Sequence, residues 1–322
     1  MKHPSWNTES VTGRARVFID NDFGGDPDGL VQLAHHLLSP SIEVAGIISS
    51  HLRADDSWNE LNETTDSVGE GVKLAEQTIA LCGQSGNHQV FEGSKAPLAN
   101  TLNAQPSQSL NALIAEAEKN DNRPLYLACG GSLTQAASLF LARPDLSEKI
   151  TLVWIGGMEH EGHAQLPPGV GELEYNFAED PIAVQVIFNS SNYKFWQVPR
   201  NAYRQTLISR AELELKLQPA GELGAYLFDA LSKVHAVESS RGTHIGETYV
   251  MGDSPLVLLT ALQSSFEADP SSSHYVQIER PSIDAKGRYG AARGKGTMRV
   301  YTVLDVRLMF EDFFAKLSLL NR

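Results

Sequence analysis

Four aspartates, Asp20, Asp22, Asp26 and Asp28, fall within nine residues of one glycine-bearing stretch, FIDNDFGGDPDGL. So many like charges in a short turn repel one another, and burying any of them unpaired is costly. A shared cation relieves both penalties. The blander reading is a solvated turn whose aspartates only cap the following helix. Capping needs a single carboxylate, and this turn offers four. Ligands that are all oxygen favour a hard divalent ion, Ca²⁺ or Mg²⁺.

The elements that must position these carboxylates can be read on either side of them. Val17, Phe18 and Ile19 form the kind of apolar run that makes a buried parallel strand. After the turn, Leu30, Val31, Leu33, Ala34, Leu37 and Leu38 line one broad helical face. Asp26 suits the N-cap of that helix and Pro27 its first position. The aspartates therefore stand at the carboxyl end of a strand, where open α/β sheets bind their ligands.

The alternation continues along the chain. Strands are expected at 42–48, 78–82, 124–129, 150–157 and 193–199, with helices at about 58–77, 107–119 and 180–189 and another following GGSLTQ. Two irregular segments, 83–101 and 158–176, are of the length often found over active sites. Later come helices at 210–217 and 220–237, a short apolar helix in SPLVLLTAL, and a terminal helix from VRLMF. Residues 274–279 and 297–304 read as paired strands around RYGAARGKG, a solvated loop whose glycines lack phosphate-loop spacing. The whole predicts an α/β domain spanning 1–322, an open and mostly parallel sheet with helices on both faces and a few antiparallel strands.

Composition narrows the partners. With 39 acidic against 26 basic residues the net charge is −13, a poor match for nucleic acid or an anionic membrane. Hydrophobic residues make up 42%, enough for a sizeable core. Cys82 and Cys129 end apolar runs and read as buried strand thiols, too few for a disulfide framework or zinc site. The opening MKHPSWNTESVTGRAR lacks the apolar stretch of a secretory signal, and no run approaches the ~18 residues of a membrane span. A soluble, cytoplasmic protein is expected.

Five landmarks in order resemble the inosine/uridine-preferring nucleoside hydrolases. They are the strand-borne aspartate turn, GGSLTQ at 130–135, WIGG at 154–157, ELEYNFAEDPIAV at 172–184 and MGDSPL at 251–256. The resemblance covers nearly the whole chain. It implies an open α/β fold holding one Ca²⁺, hydrolysis of the N-glycosidic bond of small ribonucleosides, and a homodimer or homotetramer. Carried onto this sequence, it makes Asp22 both a metal ligand and the general base for the attacking water. Asp28, the backbone carbonyl of Thr134 and Asp253 complete the ligand set. Glu174, Asn176 and Asp26 would hold the ribose hydroxyls, with Asp20 behind them.

The sequence also departs from the family pattern. One residue is inserted where the family has adjacent aspartates, so Asp26 competes with Asp28 as ligand, and Gln135 replaces an asparagine. Gly252 stands where many members carry a histidine before the late aspartate. Candidates for protonating the leaving base are then His244, the preferred one, followed by Tyr249, His51 and His163. Trp58, Trp154 and Phe177 are candidates for stacking on a base. Two other readings are weighed: a catalytically idle Ca²⁺-containing sugar-binding domain, and an aspartyl-phosphate phosphatase. The phosphatase needs threonine or valine after its D-x-D, where this chain has Phe23, and a later lysine motif that is missing.

Overall fold

The apolar run before the aspartates forms a strand, β1 (Ala15–Asn21), and every residue of it is buried. Both of its faces are covered. Val17 and Ile19 pack into one apolar cluster and Phe18 into another on the opposite side of the sheet. The structure is a computed structural model that describes residues 11–169, 173–243, 246–284 and 286–320.

The other strands are β2 (Ile42–Ser49), β3 (Val90–Glu92), β4 (Leu125–Cys129), β5 (Ile150–Ile155), β6 (Lys194–Val198), β7 (Leu207–Ser209), β8 (Thr248–Val250), β9 (His274–Ile283) and β10 (Tyr289–Val303). Eight of them form one sheet in the order β3-β2-β1-β4-β5-β6-β10-β9, and β7 pairs with β8 separately. Every pairing in the large sheet is parallel except β9 with β10. From β1 the chain winds outward first through β2 and β3, then the other way through β4, β5 and β6. The order therefore reverses between β1 and β4, and the crevice beyond their carboxyl ends is where such sheets bind ligands.

Three expectations need correction. Residues 78–82 are not a strand but the end of helix Ser67–Leu81, with Cys82 just beyond it. Val68, Gly71, Ala75, Thr78 and Ile79 are all buried, so the apolar TIAL run continues a helical face that starts ten residues earlier. The third strand comes later, at Val90–Glu92. The helix expected at 58–77 is two, Ser57–Leu61 and Ser67–Leu81, and Asp66 caps the second by accepting from Gly69 N. RYGAARGKG is not a loop: it lies mostly within β10, paired irregularly with β9 in an exposed part of the sheet where no apolar pattern is required.

The helix after the aspartate turn, Asp28–Leu37, is tied to the terminal helix Val306–Leu320 through a polar triad whose His35 and Lys316 are buried and whose Asp312 is half-buried. Asp312 accepts from His35 Nε2 at 2.7 Å and from Lys316 Nζ, which also donates to Ser39. Removing the shared acceptor strands the His35 donor and leaves the Lys316 ammonium with the Ser39 hydroxyl alone. Asp312→Ala is expected to lower unfolding free energy by about 3 kcal/mol, read from urea melts. Burial pushes His35 down to about 4 from 6.5. A depressed histidine stabilises the fold above its unfolded value, and that contribution fades as pH falls from 6.5 towards 4. His35→Gln should flatten this acid limb.

Candidate functional site

β1 delivers Asp20, Asn21 and Asp22 to the crevice. Asp20 accepts from the Ser50 hydroxyl, and burial pushes it up to about 7. Asn21 is the joint of the site. Its Oδ1 accepts from Asp22 N at 2.8 Å, while its Nδ2 donates to Gln32 Oε1 at 3.1 Å and to Asp253 Oδ2 at 2.9 Å. The glycines after β4 make this possible. A Cβ at Gly130 would fall 2.4 Å from Asn21 Nδ2, and one at Gly131 would fall 3.0 Å from Asp22 Cγ.

Asp253 arrives from the far end of the chain. The β7–β8 ribbon leads into the turn that carries it, and Met251 N donates to Thr206 O at 3.1 Å to hold that turn down. Asp253 N donates to Asp28 Oδ2 at 3.0 Å, across 225 residues of sequence. Asp22 and Asp28 are pushed well above the usual carboxylate range, by burial first and by Asp253 next. Burial lifts Asp253 to about 7, with Asp26 and Glu174 adding repulsion. Asp22, Asp28 and Asp253 thus come together in one crevice.

These groups, with Asp26, Glu174 and Asn176, line a cavity of about 300 Å³. Asp26 accepts from Tyr249 OH at 2.6 Å and from Asp28 N at 3.2 Å, but the helix begins one residue later than expected, so its N-cap is Pro27, without a side-chain cap, and not Asp26. Glu174 caps the short helix Tyr175–Glu179. Its oxygens accept from Gly157 N at 2.7 Å, Phe177 N at 3.0 Å, Asn176 N at 3.2 Å and Tyr203 OH at 3.0 Å. Asn176 Nδ2 donates to Gly130 O at 2.7 Å and Ile155 O at 2.8 Å, which fixes it to the ends of β4 and β5.

Other candidates stand apart. Thr134 is buried at the start of helix Thr134–Ala142, off the cavity lining, and its hydroxyl donates to Asp180 Oδ2 at 2.6 Å. His244 lies outside the described residues. Tyr249 is buried and its proton is committed to Asp26. His51 is buried off the lining and His163 is exposed, also off it. Trp154 and Phe177 are fully buried core residues, whereas Trp58 does reach the cavity. The sequence reading passed over Tyr175, Tyr203 and Arg204, which also line it. The available signal for the last two was their place just after β6, at another carboxyl end of the same sheet.

Among the described residues, no three acidic, histidine or cysteine side chains already stand together as a finished ion cage. The donor chemistry nevertheless fits a hard cation. Asp22, Asp28 and Asp253 are buried, all oxygen, and mutually repelling, and Asp28 Oδ2 already reaches the turn of Asp253.

A switch-point crevice floored by aspartates from both ends of the chain, with a glutamate and an asparagine pinned to its wall, marks an open α/β protein with an acidic site where such sheets bind their ligands. Residues 17–311 match the family described as inosine-uridine preferring nucleoside hydrolase, and the chain belongs to that family. Its fold is that of solved nucleoside hydrolases. The plant enzyme PpNRh1 superposes with a TM-score of 0.71 at 16% identity, covering 95% of this chain and 99% of that one. The purine-preferring ribonucleoside hydrolase from Gardnerella vaginalis gives 0.71 at 17% identity, covering 95% and 98%. The inosine-uridine preferring enzyme from Bacillus anthracis gives 0.66 at 16% identity, covering 95% and 99%. No curated protein sequence matches the chain. No helix among the described residues is long and apolar enough to cross a membrane.

Proposed function

We propose that this protein is a Ca²⁺-dependent nucleoside N-ribohydrolase, converting a ribonucleoside and water to free base and ribose, with Asp22 as general base. The observation that carries the reading is the hydrogen bond from Asp253 N to Asp28 Oδ2, which joins the early aspartate turn to the late one. Asp22, Asp28 and Asp253 would hold the Ca²⁺, with Asp28 preferred over Asp26 because Tyr249 already engages Asp26, and Thr134, off the cavity lining, is left out of the set. When bound, the ion supplies a fixed positive charge that orients sugar hydroxyls and water.

The chain's own groups do the rest. Glu174, Asn176 and Asp26 line the cavity and hold the ribose hydroxyls. Cleavage builds positive charge on the sugar ring, and the surrounding carboxylates stabilise it. Asp22 accepts the proton of the attacking water. Trp58 offers a flat apolar wall to the departing base. The working assembly, by family resemblance, is a homodimer or homotetramer.

The second reading, a binding domain without turnover, is favoured by Gly252 alone. A panel of ribonucleosides and p-nitrophenyl riboside tests both, with ribose release as the readout. Hydrolysis of natural ribonucleosides is the expected result. Release of p-nitrophenol alone would leave Asp22 competent and base activation lacking. No ribose from any substrate would hand the site to the binding reading.

A further inference from the structure

We propose that Arg204 selects an N-riboside carrying a negative charge outside its reacting sugar ring; the proposal rests on the hydrolase reading and refines its substrate class. The cavity lining holds five carboxylates, Asp22, Asp26, Asp28, Glu174 and Asp253, and among the described residues Arg204 is its one cation. Arg204 follows the short helix Arg200–Tyr203, beyond the carboxyl end of β6, and is exposed. Its side chain has no hydrogen-bond or ion-pair partner among the described residues. The acid its charge reaches, Glu159, is already taken: Arg200 holds it by Nε at 2.9 Å and by a terminal nitrogen at 2.6 Å. Among the described residues the Arg204 guanidinium is therefore uncommitted, on the lining of a strongly negative cavity.

A neutral ribonucleoside asks for no cation there. An anionic one would be repelled by the carboxylate floor unless something met its charge. A guanidinium suits that task, since its fork pairs two donors with one oxyanion. The wall beside it is bare at Gly252, where a Cβ would come 3.6 Å from the Tyr203 ring and 3.4 Å from Asp28 Oδ2. Glycine supplies no proton donor to the leaving group. When the C1′–N bond breaks, its electron pair stays on the base nitrogen while water oxygen bonds C1′ and gives its proton to Asp22. With no donor on this wall the base departs with one more negative charge than it had in the substrate and takes its proton from solvent afterwards, and a nearby cation offsets that charge.

The charge can sit on an ionised base or on a 5′-phosphate, and the same fork recognises either. The test compares kcat/KM for xanthosine, whose base ionises near neutral pH, for inosine 5′-monophosphate and for inosine, in wild type, Arg204→Ala and Arg204→Lys. Wild type should favour one anionic substrate over inosine by about tenfold or more. Arg204→Ala should remove that advantage, costing the charged substrate about ten- to a hundredfold and inosine less than about threefold. Lysine should restore part of it. A xanthosine preference places the charge on the base; a preference for the monophosphate places it on the ribose. Equal loss on all three substrates, or no preference in wild type, overturns the proposal while leaving hydrolysis intact. Calorimetric titration with the same ligands separates the two readings. Arg204-dependent binding of the charged ligand without ribose release would sink the hydrolase and keep the selectivity.

Discussion

Asp22→Asn is expected to lower kcat for ribose release by about 10²–10⁴-fold while the protein stays folded. The substitution keeps the shape and removes the group that takes the water proton. It also removes a charge from a buried acidic cluster, because Asp253, Glu179 and Asp26 all repel the Asp22 carboxylate. The metal-free variant should therefore melt higher than metal-free wild type, by about 2–4 °C for each kcal/mol of relieved repulsion. The two readouts move in opposite directions, which a merely damaged fold would not do. Near-normal turnover in the variant would take the base away from Asp22. A variant that loses activity and melts lower would show that Asp22 is structural.

Much of this site was legible because its residues announce themselves locally. The crowding of Asp20, Asp22, Asp26 and Asp28 in one turn demands a positive partner wherever the chain puts it, and an apolar run before it demands a strand. Asp253 became legible only through the order of the landmarks, since nothing near it in sequence says that it must meet Asp28. The structure supplies the reason in Asn21, whose amide reaches Gln32 and Asp253 at once. Asparagine between two aspartates carries no such signal.

The misread segments fail for a different reason. TIALC satisfies both a strand and the end of an amphipathic helix, and only the burial of Val68 and Gly71 in the same face decides between them. RYGAARGKG lies in the exposed first half of β10, with few buried side chains, so hydrophobic pattern says nothing about it. Tyr203 and Arg204 were missed because a short helix after β6 has no motif of its own. Their relevance comes from the sheet order, which brings the end of β6 to the crevice shared by β1, β4 and β5.

Chelation should cost the enzyme nearly all ribose release, and added Ca²⁺ should return it. The physical ground is the same repulsion. In the metal-free protein burial holds Asp253 up to about 7, and Asp22 and Asp28 are raised as well. An acid raised in the folded state favours folding below its unfolded value, near 3.8, and that advantage is lost as pH climbs through about 7. The melting temperature of chelated protein should accordingly fall between about pH 5 and pH 7.5. Ca²⁺ binds the ionised carboxylates, so its stabilising effect should widen over that same interval. At a hundredfold excess over its dissociation constant it contributes about 2.7 kcal/mol, or roughly 5 °C. Calorimetric melts with and without chelator across this range measure both trends. Identical melts and undiminished turnover after chelation would mean that the three aspartates share protons instead of a cation, and the hydrolase would need another source of positive charge beside the sugar.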